Sequence, residues 1–296
     1  MTESHMVSYE TSKDADKLYS LMESELSNSR VILDLVNAKF IKPNEVILFV
    51  MFLIRMGNLG NKLNVLFPEE KKTHEYLEAI GLINFCNKNL TESSTLNAIT
   101  SQTAMPIRRL TEERMSEYID FAKSYFEGIC HGKDLTMLNI CMAELLNNVY
   151  NHSESEIDAY AFCQYFGSKK EIQVVVGDYG IGIPYSVNRY LKTTNQIEDK
   201  LNDLDALRWA LVLNNSAKSI PNNQGKGLDN VLTFTKANGG NLFIYTNGAF
   251  LRTSEKDNEL VFDNNYIHSF KGTIVVFTIN VDNLDDLDDE LSDFDF

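Results

Sequence analysis

Short apolar runs and amphipathic segments follow one another along the first hundred residues in an order that predicts a small α/β domain. Apolar runs at 31–36 and 62–67 predict two buried strands. Pro43 begins a helical pattern after the first run, since proline is tolerated in a first helical turn, and 68–80 predicts a second helix. This strand–helix–strand–helix order predicts neighbouring parallel strands with a right-handed crossover. We assign this domain to residues 1–100.

A polar segment at 87–103 is predicted to link this unit to a second α/β domain over residues 101–280. Helical spacing of apolar residues resumes at Leu110. Apolar runs at 172–176 and 274–277 predict two strands within the second domain.

One predicted helix of the second domain carries three polar residues in a column. Glu144, Asn148 and His152 stand four apart, so each is rotated by only about 40° from the last. Leu145 and Val149 are left free to face a core. A carboxylate, an amide and an imidazole are poor core material because each needs a partner or water. They suit the binding of a metal ion and the activation of a nucleophile, although the column alone also fits an ordinary amphipathic helix.

Two glycine-containing segments follow in contexts that favour ligand binding. Asp178, Gly180 and Gly182 come directly after the strand predicted at 172–176, which places a carboxylate at a sheet end beside a turn open to a flat ligand. The segment 223–228 reads Asn-Gln-Gly-Lys-Gly-Leu and precedes a helical pattern. A glycine-rich turn before a helix N-terminus is a ready phosphate site.

Taken in order, these segments make residues 110–280 resemble the Bergerat-fold ATP-binding domain of gyrase, Hsp90, histidine kinases and MutL. The spacing of the first motif, with a histidine at its end, is most similar to that of the anti-sigma-factor serine kinases. The resemblance implies a two-layer α/β sandwich that binds ATP and Mg²⁺. The matching positions are Glu144, Asn148 and His152 in the N box, Asp178, Gly180 and Gly182 in the first glycine box, Gly225, Gly227 and Leu228 in the second, and Gly272 with Thr273 at the end.

The resemblance also implies a role for each polar residue. Asn148 would give its amide oxygen to Mg²⁺, a hard cation that takes few protein ligands. Glu144 would be the general base for a water or a hydroxyl that attacks the γ-phosphate. Asp178 would accept a hydrogen bond from the adenine amine, and Thr273 would support the same edge through water.

The phosphate end of the expected site depends on the second glycine box. Gly225, Lys226 and Gly227 would meet the phosphates through amides and the lysine ammonium. His152 has two interpretations of equal weight, as a phosphate contact or as a favourable group at a helix C-terminus. The segment 184–224 would be the lid that closes over ATP.

The N-terminal domain is similar to the STAS-type domain of anti-sigma-factor antagonists. The similarity rests on Leu33-Asp34-Leu35, the turn after Phe40 and the ending at 79–82. Those antagonists carry a phosphorylatable serine at the start of the first helix, whereas residues 41–45 here contain no hydroxyl. Regulatory phosphorylation is therefore not expected at that position, and a structural role and a signalling role both stay open.

The composition argues against some classes of binding partner and of cellular location. A formal net charge of −15 over 296 residues argues against a nucleic-acid surface, which needs clustered Lys and Arg. No apolar stretch approaches the roughly 20 residues that span a membrane. The start lacks a signal-peptide pattern, and the four cysteines form no metal-ligand spacing. We therefore expect a cytoplasmic protein without direct membrane or nucleic-acid binding.

The acidic tail at 281–296 is the remaining candidate for a partner contact. It holds eight Asp or Glu and no Lys or Arg, which usually indicates a disordered, solubilising end. The alternative is a helix that folds on a basic partner or on a second copy of the chain. That alternative rests on a helix-spaced apolar row formed by Leu284, Leu287, Leu291 and Phe294.

Two classes of function stay open. One is an ATPase or protein serine/threonine kinase that uses Glu144 as its base. The other is a non-catalytic, ATP-gated interaction module whose lid exposes or hides a partner surface. A histidine autokinase is not expected, because none of the upstream histidines His5, His74 and His131 has both the acidic residue and the proline that follow its phosphoacceptor. His74 does precede an acidic residue, Glu75, but it has no proline shortly after and lies in the N-terminal domain.

Overall fold

Two β-sheets of opposite type organise the part of the chain that the structure, a computed structural model, describes. One is a parallel sheet of three strands and the other an antiparallel sheet of seven. This confirms the expected α/β class. The described residues are 3–87, 103–152, 154, 155, 157–212, 227–253, 259–263 and 270–287, with the side chain of His152 excepted.

The parallel sheet belongs to the N-terminal unit and has the order β1–β2–β3. Its register pairs Leu33 of the central strand with Val7 and Val65 of its neighbours. The strands and helices of this unit are β1 (Ser4–Ser8), α1 (Ala15–Glu23), β2 (Arg30–Asp34), α2 (Pro43–Asn58), β3 (Lys62–Leu66), α3 (Lys71–Ala79) and α4 (Leu82–Asn87).

The structure confirms the strands predicted at 31–36 and 62–67, their parallel pairing and the helix that begins at Pro43. The first strand, β1, was not predicted. Most of the predicted linker, residues 88–102, lies outside the described residues.

The second part of the chain builds the antiparallel sheet, whose order is β4–β5–β6–β10–β7–β8–β9. Its last strand along the chain, β10, lies between β6 and β7 and so occupies the centre. The elements are β4 (Ala104–Leu110), α5 (Met115–Glu127), α6 (Thr136–His152), β5 (Ala159–Phe166), β6 (Glu171–Asp178), α7 (Ile183–Thr193), α8 (Asp203–Ala210), α9 (Gly227–Ala237), β7 (Asn241–Asn247), β8 (Ala249–Thr253), β9 (Leu260–Asp263) and β10 (Phe270–Asn280).

Helix α2 lies between the two sheets. Every residue from 46 to 53 is buried, as expected for a helix that is apolar on all sides. One apolar core contains Leu33 of the parallel sheet, the helix itself, and Phe162 and Val175 of the antiparallel sheet. The N-terminal unit therefore covers one face of the seven-stranded sheet.

The opposite face of the sheet is covered by helices α5, α6 and α9. Alternate residues of the central strands, including Val174 and Phe277, pack there against Phe126, Leu145 and Val231 of the three helices. The chain is thus layered as parallel sheet, α2, antiparallel sheet and helical layer. Among the described residues, no helix combines the length and the apolarity needed to cross a membrane.

The beginning of the acidic tail is attached to this layer. Leu284 is buried in the core of the helical layer, and Lys133 donates to its carbonyl at 3.0 Å. Asp286 forms an isolated bridge and an ion pair with Lys133, and the Leu287 amide donates to Gly132. Leu284 is therefore a core residue and not part of a free apolar row. Leu291 and Phe294 lie outside the described residues.

Gly177 provides the first testable position, because α2 lies directly on its backbone. A Cβ there would lie 2.5 Å from Ile47 Cγ2 and 2.7 Å from Met51 Sδ. We expect Gly177→Ala to lower the free energy of unfolding by about 1–3 kcal/mol through overpacking. Gly167→Ala is the control, since a Cβ there would make only an ordinary contact at 3.6 Å. Equal urea midpoints for the two variants would contradict this packing.

Candidate functional site

Helix α6 presents its polar column away from the core. Leu145, Leu146 and Val149 are buried in the helical layer, whereas Glu144 and Asn148 are half-buried. The predicted orientation of the column is therefore confirmed for these two polar residues. His152 ends the helix as expected, but its side chain lies outside the description.

The N-terminus of α9 lies against this column. Gly227 is the first residue of α9, and a Cβ there would lie 2.9 Å from Glu144 Oε2 and 3.2 Å from Asn148 Nδ2. A larger residue would displace both side chains. The structure thus brings the positive end of a helix dipole next to a carboxylate and an amide.

The rest of the second glycine box is only partly described. Leu228 is half-buried and packs against the core of the helical layer, which anchors the start of α9. Gly225 and Lys226 lie outside the described residues. The sequence predictions for their phosphate contacts remain predictions.

Asp178 ends β6 and is almost completely buried, with 4% of its surface exposed. Within the described residues, its carboxylate accepts one hydrogen bond, from the Gly180 amide at 2.8 Å. Burial raises the pKa of this carboxyl to about 7, against an ordinary value of 3.8, and the Gly180 hydrogen bond only partly opposes the shift. A buried carboxylate with so little compensation is costly and is therefore suited to a ligand that donates a hydrogen bond.

Three polar residues lie side by side across the central strands. Thr273 of β10 is paired with Asp178 on one side and with Thr246 of β7 on the other. Because side chains alternate along strands, all three continue the face that carries Val176 and Val275 of the helical-layer core. Asp178 therefore lies on the same face of the sheet as helices α6 and α9.

Thr246 connects this row to the helix that follows the first glycine box. Its fully buried hydroxyl accepts from the Ile183 amide at 2.9 Å and donates to the Gly272 carbonyl at 3.0 Å. Since it has one proton, the 3.0 Å contact between the two threonine hydroxyls has Thr273 as its donor. Sequence reasoning did not identify Thr246. The signal in the sequence is that Thr246 directly follows the apolar run 242–245 and falls, by alternation, on the same face as Leu242 and Ile244.

Two glycines at the site adopt conformations that other residues rarely adopt. Gly182 has a φ of 77° and caps α7, and a Cβ there would lie 1.9 Å from Asn247 Oδ1. Gly272 has a φ of 128°, and a Cβ there would lie 2.2 Å from the Asp178 carbonyl oxygen. The close approach of β10 to Asp178 therefore requires glycine.

The described part of the predicted lid is a helical hairpin with its own apolar cluster. Val187, Leu191 and Ala206 pack together between α7 and α8. Asn188 closes the connection, because its side chain donates to Leu201 O and accepts from Leu201 N. Residues 213–224 of the lid lie outside the described residues.

Asn148 is the described residue that could help to hold the Mg²⁺ implied by the resemblance. Across the described ranges, no three His, Cys, Asp or Glu side chains group as metal ligands. Mg²⁺ bound with a nucleotide needs only one or two protein ligands, with phosphates and waters completing its shell. Asn148, which a Cβ at Gly227 would meet at 3.2 Å, could supply one amide oxygen to such a shell.

Asp178 also makes the stability of the protein depend on pH. Because its folded pKa of about 7 lies above its ordinary 3.8, its contribution to stability is full below about pH 4 and is lost as pH rises through 7. We expect Asp178→Asn to remove this loss, so the variant gains stability relative to wild type between pH 5 and pH 8. Urea unfolding of wild type and of Asp178→Asn at pH 5 and at pH 8 measures this difference in the free energy of unfolding. Parallel pH profiles for the two proteins would contradict the burial of an ionisable group here.

Comparison of the chain with models of known protein families and with curated proteins found no match.

Proposed function

We propose that the chain binds ATP with Mg²⁺ in the helical layer and uses Glu144 to hydrolyse it or to pass its γ-phosphate to a partner protein. The observation that carries this proposal is the position of Glu144 and Asn148, which occupy the space that a side chain at Gly227 would need. It puts a candidate base, a candidate metal ligand and a helix N-terminus at one place. In this proposal the second part of the chain is a Bergerat-type domain and the N-terminal unit is STAS-like.

Asp178 supports the adenine end of the proposal. Its buried carboxylate would accept a hydrogen bond from the amine of adenine, with Thr273 paired beside it on β10. Guanine would turn a carbonyl oxygen towards the same carboxylate, and two acceptors repel each other. The chain should therefore prefer adenine nucleotides.

At the phosphate end, Asn148 and Glu144 have separate proposed roles. Asn148 would hold Mg²⁺ by its amide oxygen, and the cation would neutralise charge on the phosphates. Glu144 is half-buried, so it can reach solvent and still lie beside the helix terminus. It would take the proton from a water or a serine or threonine hydroxyl as that oxygen bonds to the γ-phosphorus and ADP leaves.

The lid hairpin, which has an apolar cluster between its two helices, also favours a second function, that of a nucleotide-gated interaction module. The residues on either side of Gly182, where α7 begins, bond to β7: the Ile183 amide donates to Thr246, and Asn247 donates to the Ile181 carbonyl. A change beside Thr273 would therefore be transmitted to α7. In that case ATP would move the hairpin and alter a protein-binding surface without turnover. The tail residues beyond Leu287 remain proposed as part of such a surface.

Glu144→Gln separates the two functions. We expect it to bind Mg·ATP as wild type does and to lose turnover by roughly a hundredfold or more, because a general base acts in the transition state. Asn148→Ala should instead weaken binding only when Mg²⁺ is present. Asn147→Ala, on the adjoining position of α6, is the control and should leave both properties unchanged.

Phosphate release and calorimetric titration measure these effects. Wild-type hydrolysis by Glu144→Gln would exclude Glu144 as the base. Binding without turnover in both wild type and Glu144→Gln would favour the interaction module.

A further inference from the structure

Tyr179 follows Asp178 but faces the other side of the sheet. It is fully buried, and its ring packs edge-on against Phe270 in the core shared with the N-terminal unit. Phe270 in turn packs against Tyr19 of α1. The residue beside the proposed adenine-binding carboxylate is thus part of the contact with the N-terminal unit.

The hydroxyl of Tyr179 is bonded to the C-terminal end of α1. It donates to the Met22 carbonyl at 3.0 Å and lies 3.3 Å from Glu23 Oε1. Burial, with Glu23 nearby, raises the pKa of Tyr179 to about 12, so the hydroxyl keeps its proton at neutral pH. Arg55 of α2 stacks over the ring at 5.2 Å.

The C-terminal end of α1 also bonds to β10, the strand that pairs with β6 at Asp178. Glu23 Oε1 accepts from the Lys271 amide at 2.9 Å. Lys271 precedes Gly272, whose Cα lies so close to the Asp178 carbonyl that no side chain fits between them. One carboxylate of α1 therefore contacts the Tyr179 hydroxyl, next to Asp178, and the Lys271 amide, two residues before Thr273.

Gly177, on the other side of Asp178, is held by α2. Ile47 and Met51 occupy the space that a side chain at Gly177 would need. Asp178 is thus flanked by two residues that both pack against the N-terminal unit. Any displacement of α1 or α2 relative to the sheet would move its carboxylate.

We propose that Tyr179 is a positioning residue that couples the end of α1 to adenine recognition by Asp178, so that events at the N-terminal unit change nucleotide affinity. This inference rests on the proposed function. By linkage, nucleotide binding must also stabilise the contact at α1 by the same factor. The N-terminal unit is then a regulatory part of the nucleotide site.

The first test removes only the hydroxyl. We expect Tyr179→Phe to bind Mg·ADP about five- to tenfold more weakly than wild type and to discriminate less against Mg·IDP, which carries an oxo group in place of the adenine amine. Tyr118→Phe is the control, since Tyr118 is equally buried in α5 and its hydroxyl lies 3.2 Å from Cys163 Sγ. Tyr118→Phe should change the melting temperature but not the affinity for Mg·ADP or for Mg·IDP.

A second variant tests the same contact from an exposed residue of α1. Glu23→Ala removes the acceptor of the Lys271 amide and the carboxylate beside the Tyr179 hydroxyl, and it should weaken ADP binding in the same direction. Glu25→Ala, an exposed carboxylate two residues further on, is its control. The reciprocal measurement is amide hydrogen exchange in α1, which should slow on ADP binding in wild type and not in Tyr179→Phe.

The outcomes separate the two proposals. Wild-type ADP binding and selectivity in both Tyr179→Phe and Glu23→Ala, with α1 exchange unaffected by ADP, would make Tyr179 a core residue only and overturn this inference alone. A wild-type chain that binds no adenine nucleotide would overturn the proposed function and this inference with it.

Discussion

Strand register at the centre of the antiparallel sheet is the constraint on which the site depends. Asp178, Thr273 and Thr246 face the helical layer only because β6, β10 and β7 pair in one alignment. A slip of one residue would turn all three towards α2 and bury a carboxylate against an apolar helix. Gly272 protects the alignment, because only glycine allows β10 to approach the Asp178 carbonyl so closely.

The two faces of the antiparallel sheet differ in the helices that cover them. On one face α2 packs so tightly on Gly177 that no ligand can lie there. The other face carries α6 and α9, and the N-terminus of α9 at Gly227 lies beside Glu144 and Asn148 of α6. Asp178 lies on this second face, but its neighbours Gly177 and Tyr179 point to the first. Alternation along a single strand thus joins the proposed nucleotide site to the N-terminal unit, and burial of the Asp178 carboxylate stores a free-energy cost that a hydrogen-bonding ligand can offset.

Local patterns predicted part of this arrangement. The column of Glu144 and Asn148 follows from helical periodicity alone, and the parallel pairing of β2 and β3 follows from the order of elements. The strand Ser4–Ser8 was missed because its polar residues give no apolar run. Thr246, Tyr179 and the contact at Gly177 depend on pairings between segments far apart in the chain, which no local pattern encodes. Leu284 was assigned to a helix-spaced row, yet packing against the helical layer takes it into the core.

The central claim is that Asp178 recognises the amine of adenine, and a nucleotide pair that differs mainly at that group tests it most directly. Calorimetric titration of the wild-type chain with Mg·ADP and Mg·IDP avoids turnover, since neither carries a γ-phosphate. We predict that ADP binds at least about tenfold more tightly, because the site is built to pair with a donor that IDP lacks. Equal affinity for the two nucleotides, or binding of neither, would contradict the assignment of this site.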